Sequence, residues 1–301
     1  MGEPVVAAYA LGADGTAVVE MAEASGLRRL PPGRLAPLTA TTYGTGELVR
    51  AALDAGARTI VLGVGGSATT DGGAGMLAAL GARLLDERGR PVGPGGGALA
   101  ALASADLSGL DARLARTRIV LASDVDNPLT GPRGAAAVYG PQKGASAADV
   151  AALDAALAHY ARLLDGGGQA SAPGAGAAGG LGYGALAGLG AAFRPGIDVM
   201  LDVLGFAEAA AGVDLVITGE GSLDEQTLHG KAPVGVARAA AGTTVVAVCG
   251  RLALDEGALA SAGIERAYAL TELEPDPARC MAEAGPLLER LAESVARDYL
   301  G

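Results

Sequence analysis

The chain has 301 residues, half of them apolar, with 3% aromatic residues, no Trp and 49 Gly. Its formal net charge is −11 and its isoelectric point about 4.7, so it offers no basic face for a nucleic-acid backbone. Cys249 and Cys280 are its only cysteines, which excludes a disulfide framework or a zinc cluster. No apolar run is long enough to span a bilayer. No basic segment followed by an apolar core marks a signal peptide, so the cytoplasm is the default compartment.

Residues 5–11 and 16–21 are β-prone runs around Ala13-Asp14-Gly15, the pattern of a hairpin. A helix is expected over 47–55, closed by Gly56, then a buried strand over 59–64. A glycine-rich loop follows over 65–73, and a helix over 74–85. A second apolar strand, 119–123, ends in acids. Val150, Leu153, Leu157, Tyr160 and Leu164 recur at helical spacing, which predicts a helix over 149–164 with His159 off the apolar stripe and solvated. Gly and Ala dominate 165–190, and by composition 173–184 describes a flexible linker, although Leu181, Tyr183, Leu186 and Leu189 give it apolar anchors. A strand over 214–218, a helix over 232–240, a strand over 243–248 and a helix from about Pro286 complete the pattern. Cys249 ends an apolar run and is expected to be buried rather than nucleophilic. The alternation argues for an α/β protein with a largely parallel sheet, whose ligands sit at the carboxyl ends of strands.

Polar clusters follow these strands. Gly65, Gly66, Ser67, Ala68, Thr69, Thr70, Asp71, Gly72 and Gly73 form a strand–loop–helix junction that can point N–H groups at an anion, or simply make a tight turn. No Gly-Lys-Ser/Thr follows, so it is not a Walker A loop. Asp124, Asp126 and Asn127 could hold Mg²⁺, accept a proton from a hydroxyl, or form an Asx turn before Pro128. Lys143 and Lys231 are the only lysines in a chain that otherwise uses Arg. A compact charge suits a phosphate oxygen, but on its own Lys143 reads as a solvated surface residue. Residues 218–231 gather Gly219, Glu220, Asp224, His229 and Lys231 after a buried strand, where a functional loop competes with a merely solvated one. His229 stands too far from other ligands to argue for a metal.

Five segments together resemble one family, the type I glycerate kinases: TTYGTGELVRAAL, GVGGSATTDGGAGMLAALGARLLD, SDVDNPLTGPRGAAAVYGPQKGA, PGAGAAGGLGYGAL and DLVITGEGSLDEQTLHGKAPVGVA, in the family's order and spacing. The resemblance covers almost the whole chain. It implies a two-lobed α/β enzyme that transfers the γ-phosphate of ATP to D-glycerate with Mg²⁺. One lobe would be Rossmann-like with a parallel sheet and the other mixed α/β, with the active cleft between them. The expected domains are 1–205, holding the glycine loop and SDVDNP, and 206–301. The Gly-Ala stretch becomes an ordered loop near the cleft, and Lys143 moves to the active site. Family members usually begin with a PDSFKGS-like loop and a DGGEGT-like loop. Neither is present here, so the resemblance implies a start downstream of the usual one and leaves a catalytically impaired binder of nucleotide or organic acid as the alternative.

On that resemblance, Asp124 is the expected proton acceptor, with Asn127 and Asp126 orienting it or the metal. Gly66, Ser67, Ala68 and Thr69 would cradle a phosphate, with Gly65, Asp71, Gly72, Gly73, Gly219 and Lys231 completing the nucleotide set. Lys143 would balance charge on the γ-phosphate, and Glu220 and Asp224 would bind Mg²⁺. The cation for the glycerate carboxylate is either the missing lysine or Arg133. The expected partners are glycerate and ATP, with no nucleic acid and no membrane. A homo-oligomer, and the choice between 2- and 3-phosphoglycerate, stay open.

Overall fold

The computed structural model describes residues 2–301; Met1 and the His229 side chain, one of the residues weighed above, lie outside the described residues. The chain divides into two compact units, Met1–Arg194 and Pro195–Gly301.

The first unit is built on a five-stranded sheet. Its strands are β1 (Ala10–Leu11), β2 (Thr16–Glu20), β3 (Thr59–Gly63), β6 (Arg118–Ala122) and β7 (Ala192–Arg194), side by side in that order. All neighbours run parallel except β1 and β2, which form the expected hairpin. The first strand is much shorter than its β-prone run; Tyr9, just before it, donates its hydroxyl to the Ala51 carbonyl at 3.2 Å. The helices are α1 (Ala22–Ser25), α2 (Tyr43–Asp54), α3 (Ala74–Ala79), α4 (Ala135–Tyr139), α5 (Ala147–Asp165) and α6 (Ala177–Tyr183). Leu48, Val49, Ala52 and Leu53 of α2 pack into one core with Val19, Ile60, Leu62 and Leu121. Each buried Leu, Ile or Val among them stabilises the fold by about 1.5–3 kcal/mol.

The helix expected over 74–85 is cut short. Gly81 has φ +112°, and the chain continues as β4 (Arg83–Leu85), antiparallel to β5 (Ser104–Asp106). Helix α5 starts earlier than its apolar periodicity implies. Ser146 and Asp149 form a reciprocal capping box there, which satisfies N–H groups that the first turn would otherwise leave open. His159 is not simply solvated: its Nε2 meets the Leu102 carbonyl at 2.6 Å and its Nδ1 meets Arg162.

The Gly-Ala stretch is not a linker. Residues 175–185 are buried throughout, and Ala178, Gly179 and Gly180 form a left-handed turn inside α6. Among the described residues Ala178 is the only residue other than Gly with positive φ, at 52°. A Cβ on Gly179 would lie 1.9 Å from the Thr69 carbonyl oxygen. The abundance of Gly here therefore serves close packing against the glycine loop rather than flexibility.

The second unit carries α7 (Gly196–Val203) and α8 (Phe206–Ala210), then a three-stranded parallel sheet ordered β10-β9-β8. Its strands are β8 (Leu215–Leu223), β9 (Thr244–Leu252) and β10 (Arg266–Ala269), and its remaining helices are α9 (Ala232–Ala239), α10 (Glu256–Ser261), α11 (Pro277–Ala282) and α12 (Ala284–Tyr299). Strand β8 runs on through Gly219-Glu220-Gly221, where a loop was expected. Strand β9 extends alongside it, pairing Glu220 with Cys249 and Leu223 with Leu252. Cys249 is buried in this core as anticipated. Among the described residues no helix is long and apolar enough to cross a membrane.

Candidate active site

The register of β3 and β6 pairs Gly63 with Ala122. The glycine loop and the Ser123–Asn127 segment therefore leave the sheet side by side, at the carboxyl ends of adjacent parallel strands. Within the loop, Gly65 and Gly66 are exposed, whereas residues 67–73 are buried. The loop is laced to the segment after α1: Leu27 N–H donates to the Gly66 carbonyl at 2.9 Å, and Ala68 N–H donates to the Ser25 carbonyl at 3.0 Å. The Ala68 N–H is thus engaged within the protein rather than open to a phosphate.

Asp71 works from inside. Its Oδ2 accepts from Thr42 N–H at 2.8 Å, from the Thr42 hydroxyl at 2.9 Å and, at longer range, from the Thr41 hydroxyl and Gly75 N–H. Gly73 N–H donates to its Oδ1. Burial pushes the Asp71 carboxyl above the usual carboxylate range, and the bonds from Thr42, Gly73 and Gly75 pull against that rise. Sequence reasoning missed this clasp between Thr41-Thr42 and Asp71. The paired threonines just before the apolar face of α2 were its visible trace.

Lys143 is 1% exposed, not the surface lysine it resembles in isolation. It sits in a single 3₁₀ turn after α4, and its ammonium donates to the Thr69 carbonyl at 2.6 Å. Burial pulls its pKa down to about 8, with the charge of Asp71 opposing. Nearby, the Thr70 and Tyr160 hydroxyls are buried without a protein partner, and Tyr160 packs edge-on against Tyr183.

Asp124 and Asp126 are exposed. Asn127 is held at both ends of its amide: Nδ2 donates to the Arg133 carbonyl at 2.9 Å, and Oδ1 accepts from the Tyr139 hydroxyl at 2.5 Å. Burial raises the Tyr139 phenol, and the charge of Asp126 adds to that.

In the second unit, Glu220 accepts from the Thr227 hydroxyl. Asp224 Oδ1 accepts from Gln226 N–H and lies 4.0 Å from Lys231 Nζ. Gly219 pairs with Val248 inside the sheet. No group of three or more acidic, His or Cys side chains that could hold a metal ion occurs among the described residues.

A cavity of about 550 Å³ opens beside the glycine loop in the first unit. Ala68 and Thr69 form part of its wall, together with Gly26, Arg29, Thr41 and Tyr43. Arg29, at the end of a short 3₁₀ turn over Leu27–Arg29, was not singled out from the sequence.

Fold and loops together define the class as an α/β protein whose polar loops gather at the carboxyl ends of parallel strands. Comparison with known proteins makes that specific. The model of the glycerate kinase family matches residues 1–300. The chain is 48% identical to the glycerate kinase of Bacillus subtilis over 302 residues, covering 98% of this chain and 79% of that protein. It is 46% identical to the glycerate 2-kinase of Escherichia coli, covering 90% of this chain and 72% of that protein. The crystal structure of a protein assigned as glycerate kinase 2 from Salmonella typhimurium LT2 superposes with a TM-score of 0.77 at 47% identity, covering 87% of this chain and 70% of that chain. The chain belongs to the glycerate kinase family, and with it to the kinases.

Proposed function

We propose that this protein transfers the γ-phosphoryl group of ATP to a hydroxyl of D-glycerate. The observation that carries the reading is the β3–β6 register, which sets the glycine loop beside Asp124 and Asn127 at the strand ends, where open α/β sheets bind ligands. Phosphoryl transfer needs positioning and charge stabilisation more than covalent chemistry, and each group has a task of that kind. Asp124 accepts the proton of the attacking hydroxyl. Asn127, fixed by Tyr139 and the Arg133 carbonyl, keeps the acidic loop in place. Gly65, Gly66, Ser67 and Thr69 face the phosphate, while Asp71, Gly72 and Gly73 hold the loop from beneath. Lys143 acts on the phosphate through Thr69, whose carbonyl it binds.

Glu220 and Asp224 are the carboxylates of the second unit that would hold Mg²⁺, which needs only one or two protein carboxylates. When bound, Mg²⁺ supplies charge neutralisation on the phosphates. Thr227 steadies Glu220 for that role, and Lys231 adds a positive charge beside Asp224.

The name of the E. coli relative, a glycerate 2-kinase at 46% identity, supports the 2-hydroxyl as acceptor. The alternative, a chain that only binds nucleotide or organic acid, is not favoured beside relatives named as kinases that match 98% of its length. The test is ADP release from MgATP with and without D-glycerate. Glycerate-dependent release is expected, with a product that enolase consumes without added mutase. Release indifferent to glycerate overturns the reading.

A further inference from the structure

We infer that the cavity beside the glycine loop seats the acceptor's carboxylate, and that Arg29 is the residue that binds it. This rests on the phosphoryl-transfer reading above. The cavity, about 550 Å³, is large enough to admit a three-carbon acid. Thr69 belongs both to its wall and to the glycine loop, so an acceptor lodged there lies against the loop assigned to phosphate.

Charge selects the occupant. Arg29 is the sole basic side chain among the described residues that line the cavity, which also include Glu3 and Glu47. The acids disfavour a polyanion, and Arg29 is the one group on this wall with which a small monoanion can pair. A guanidinium matches a carboxylate in two parallel bonds. Arg29 uses Nη2 on Glu23 at 2.8 Å, in a pair whose side chains are 34% and 40% exposed. A guanidinium has five N–H donors, so donors remain for a ligand. Arg133, the candidate named from the sequence, is exposed and lines no part of the cavity.

Arg29 is also placed relative to the phosphate loop. Its N–H donates to the Gly26 carbonyl at 3.0 Å, closing the turn that carries it. Gly26 bridges to Ser67, and the two bonds between residues 25–27 and residues 66–68 tie that turn to the loop. The acceptor's anchor and the phosphate loop are thereby held in one register.

The experiment compares wild type, Arg29→Gln and Arg29→Lys with D-glycerate and with its neutral amide, glyceramide. Arg29→Gln is expected to raise the glycerate KM about 10- to 100-fold, leave the ATP KM unchanged and erase the preference for glycerate over glyceramide; Arg29→Lys recovers part of it. An unchanged glycerate KM overturns the assignment, as does a rise in the ATP KM instead, or an equal loss on both acceptors. In each of those cases phosphoryl transfer itself stands. If wild type releases no glycerate-dependent ADP, that reading falls, and calorimetric titration of D-glycerate decides the site separately. Binding lost in Arg29→Gln keeps the assignment, and no binding to wild type, or binding unaltered in Arg29→Gln, overturns it.

Discussion

The ammonium of Lys143 donates to the carbonyl oxygen of Thr69 across 2.6 Å, joining positions 74 residues apart in the sequence. The bond ties a buried amine to the glycine loop. It also makes stability depend on pH in a direction that can be worked out. The pKa of Lys143 is depressed from 10.5 to about 8 in the folded chain, so between those values the unfolded chain holds more protons and stability rises with pH. The stabilisation from deprotonation is present above about 10.5 and lost as pH falls through about 8. Urea unfolding of wild type, referenced to Lys143→Met, is expected to gain about 3 kcal/mol across that window. A flat difference would mean that the amine titrates normally.

Asp71→Ala removes the acceptor shared by Thr42, Gly73 and Gly75. A loss of about 3–5 kcal/mol is expected, because buried donors are left without a partner. Asp71→Asn, which keeps one acceptor, is expected to lose less. Thermal or urea unfolding reads both.

Asp124→Asn keeps the shape of the acidic loop and removes the proton acceptor proposed above. Turnover is expected to fall about 10²- to 10⁴-fold with both KM values little altered, read as glycerate-dependent ADP release from a chain whose circular dichroism is unchanged. Near-wild-type turnover would move the base elsewhere.

Gly179→Ala sets a Cβ 1.9 Å from the Thr69 carbonyl at a residue with φ +69°. Neither backbone can yield without disturbing the glycine loop, so a loss of about 3 kcal/mol or more is expected. Gly190→Ala, also at positive φ but with open space around it, is the control and is expected to cost about 1 kcal/mol.

Cys249 is 2% exposed, and burial pushes its thiol up to about 11; Cys280 is also buried. Neither is expected to react with a disulfide reagent at pH 8 until the chain is unfolded, when both titrate. Prompt labelling of the native protein would place a cysteine in a mobile or exposed segment.

Much of the fold was legible because strands β3, β6 and β9 are compact apolar runs and α5 keeps strict helical spacing. What misled were local cues overridden by distant partners. Leu84 and Leu85 continue a helical composition, yet pairing with residues 104–105 makes a strand of them. Gly219 and Gly221 look like a loop, yet β9 holds them in a sheet. Residues 174–184 have a linker's composition because composition carries no record of packing, and Gly176, Gly179, Gly180 and Gly184 fit against residues 69–73 and 127–129.

The candidate site divides the same way. Asp124, Asn127 and the glycine loop could be found because their chemistry follows an apolar strand directly. Arg29 could not, because its importance comes from a cavity wall assembled from separate segments. Lys143 was visible only as a rarity in composition, and Asp71 was noticed for its place in the loop while its partners, Thr41 and Thr42, went unassigned.

The left-handed turn at Ala178–Gly180 has a consequence for synthesis. The glycine loop is made early, but its Lys143 tether and the Gly179 surface that braces it emerge only much later in the chain. A ribosome-bound chain released as far as α5 already has strands β2, β3 and β6, yet it lacks the element that closes over Thr69 and Thr70. Truncations ending before residue 177 should therefore fold around an unfinished loop, and the moment at which the nascent protein first resists protease at residues 65–73 marks the exit of that turn.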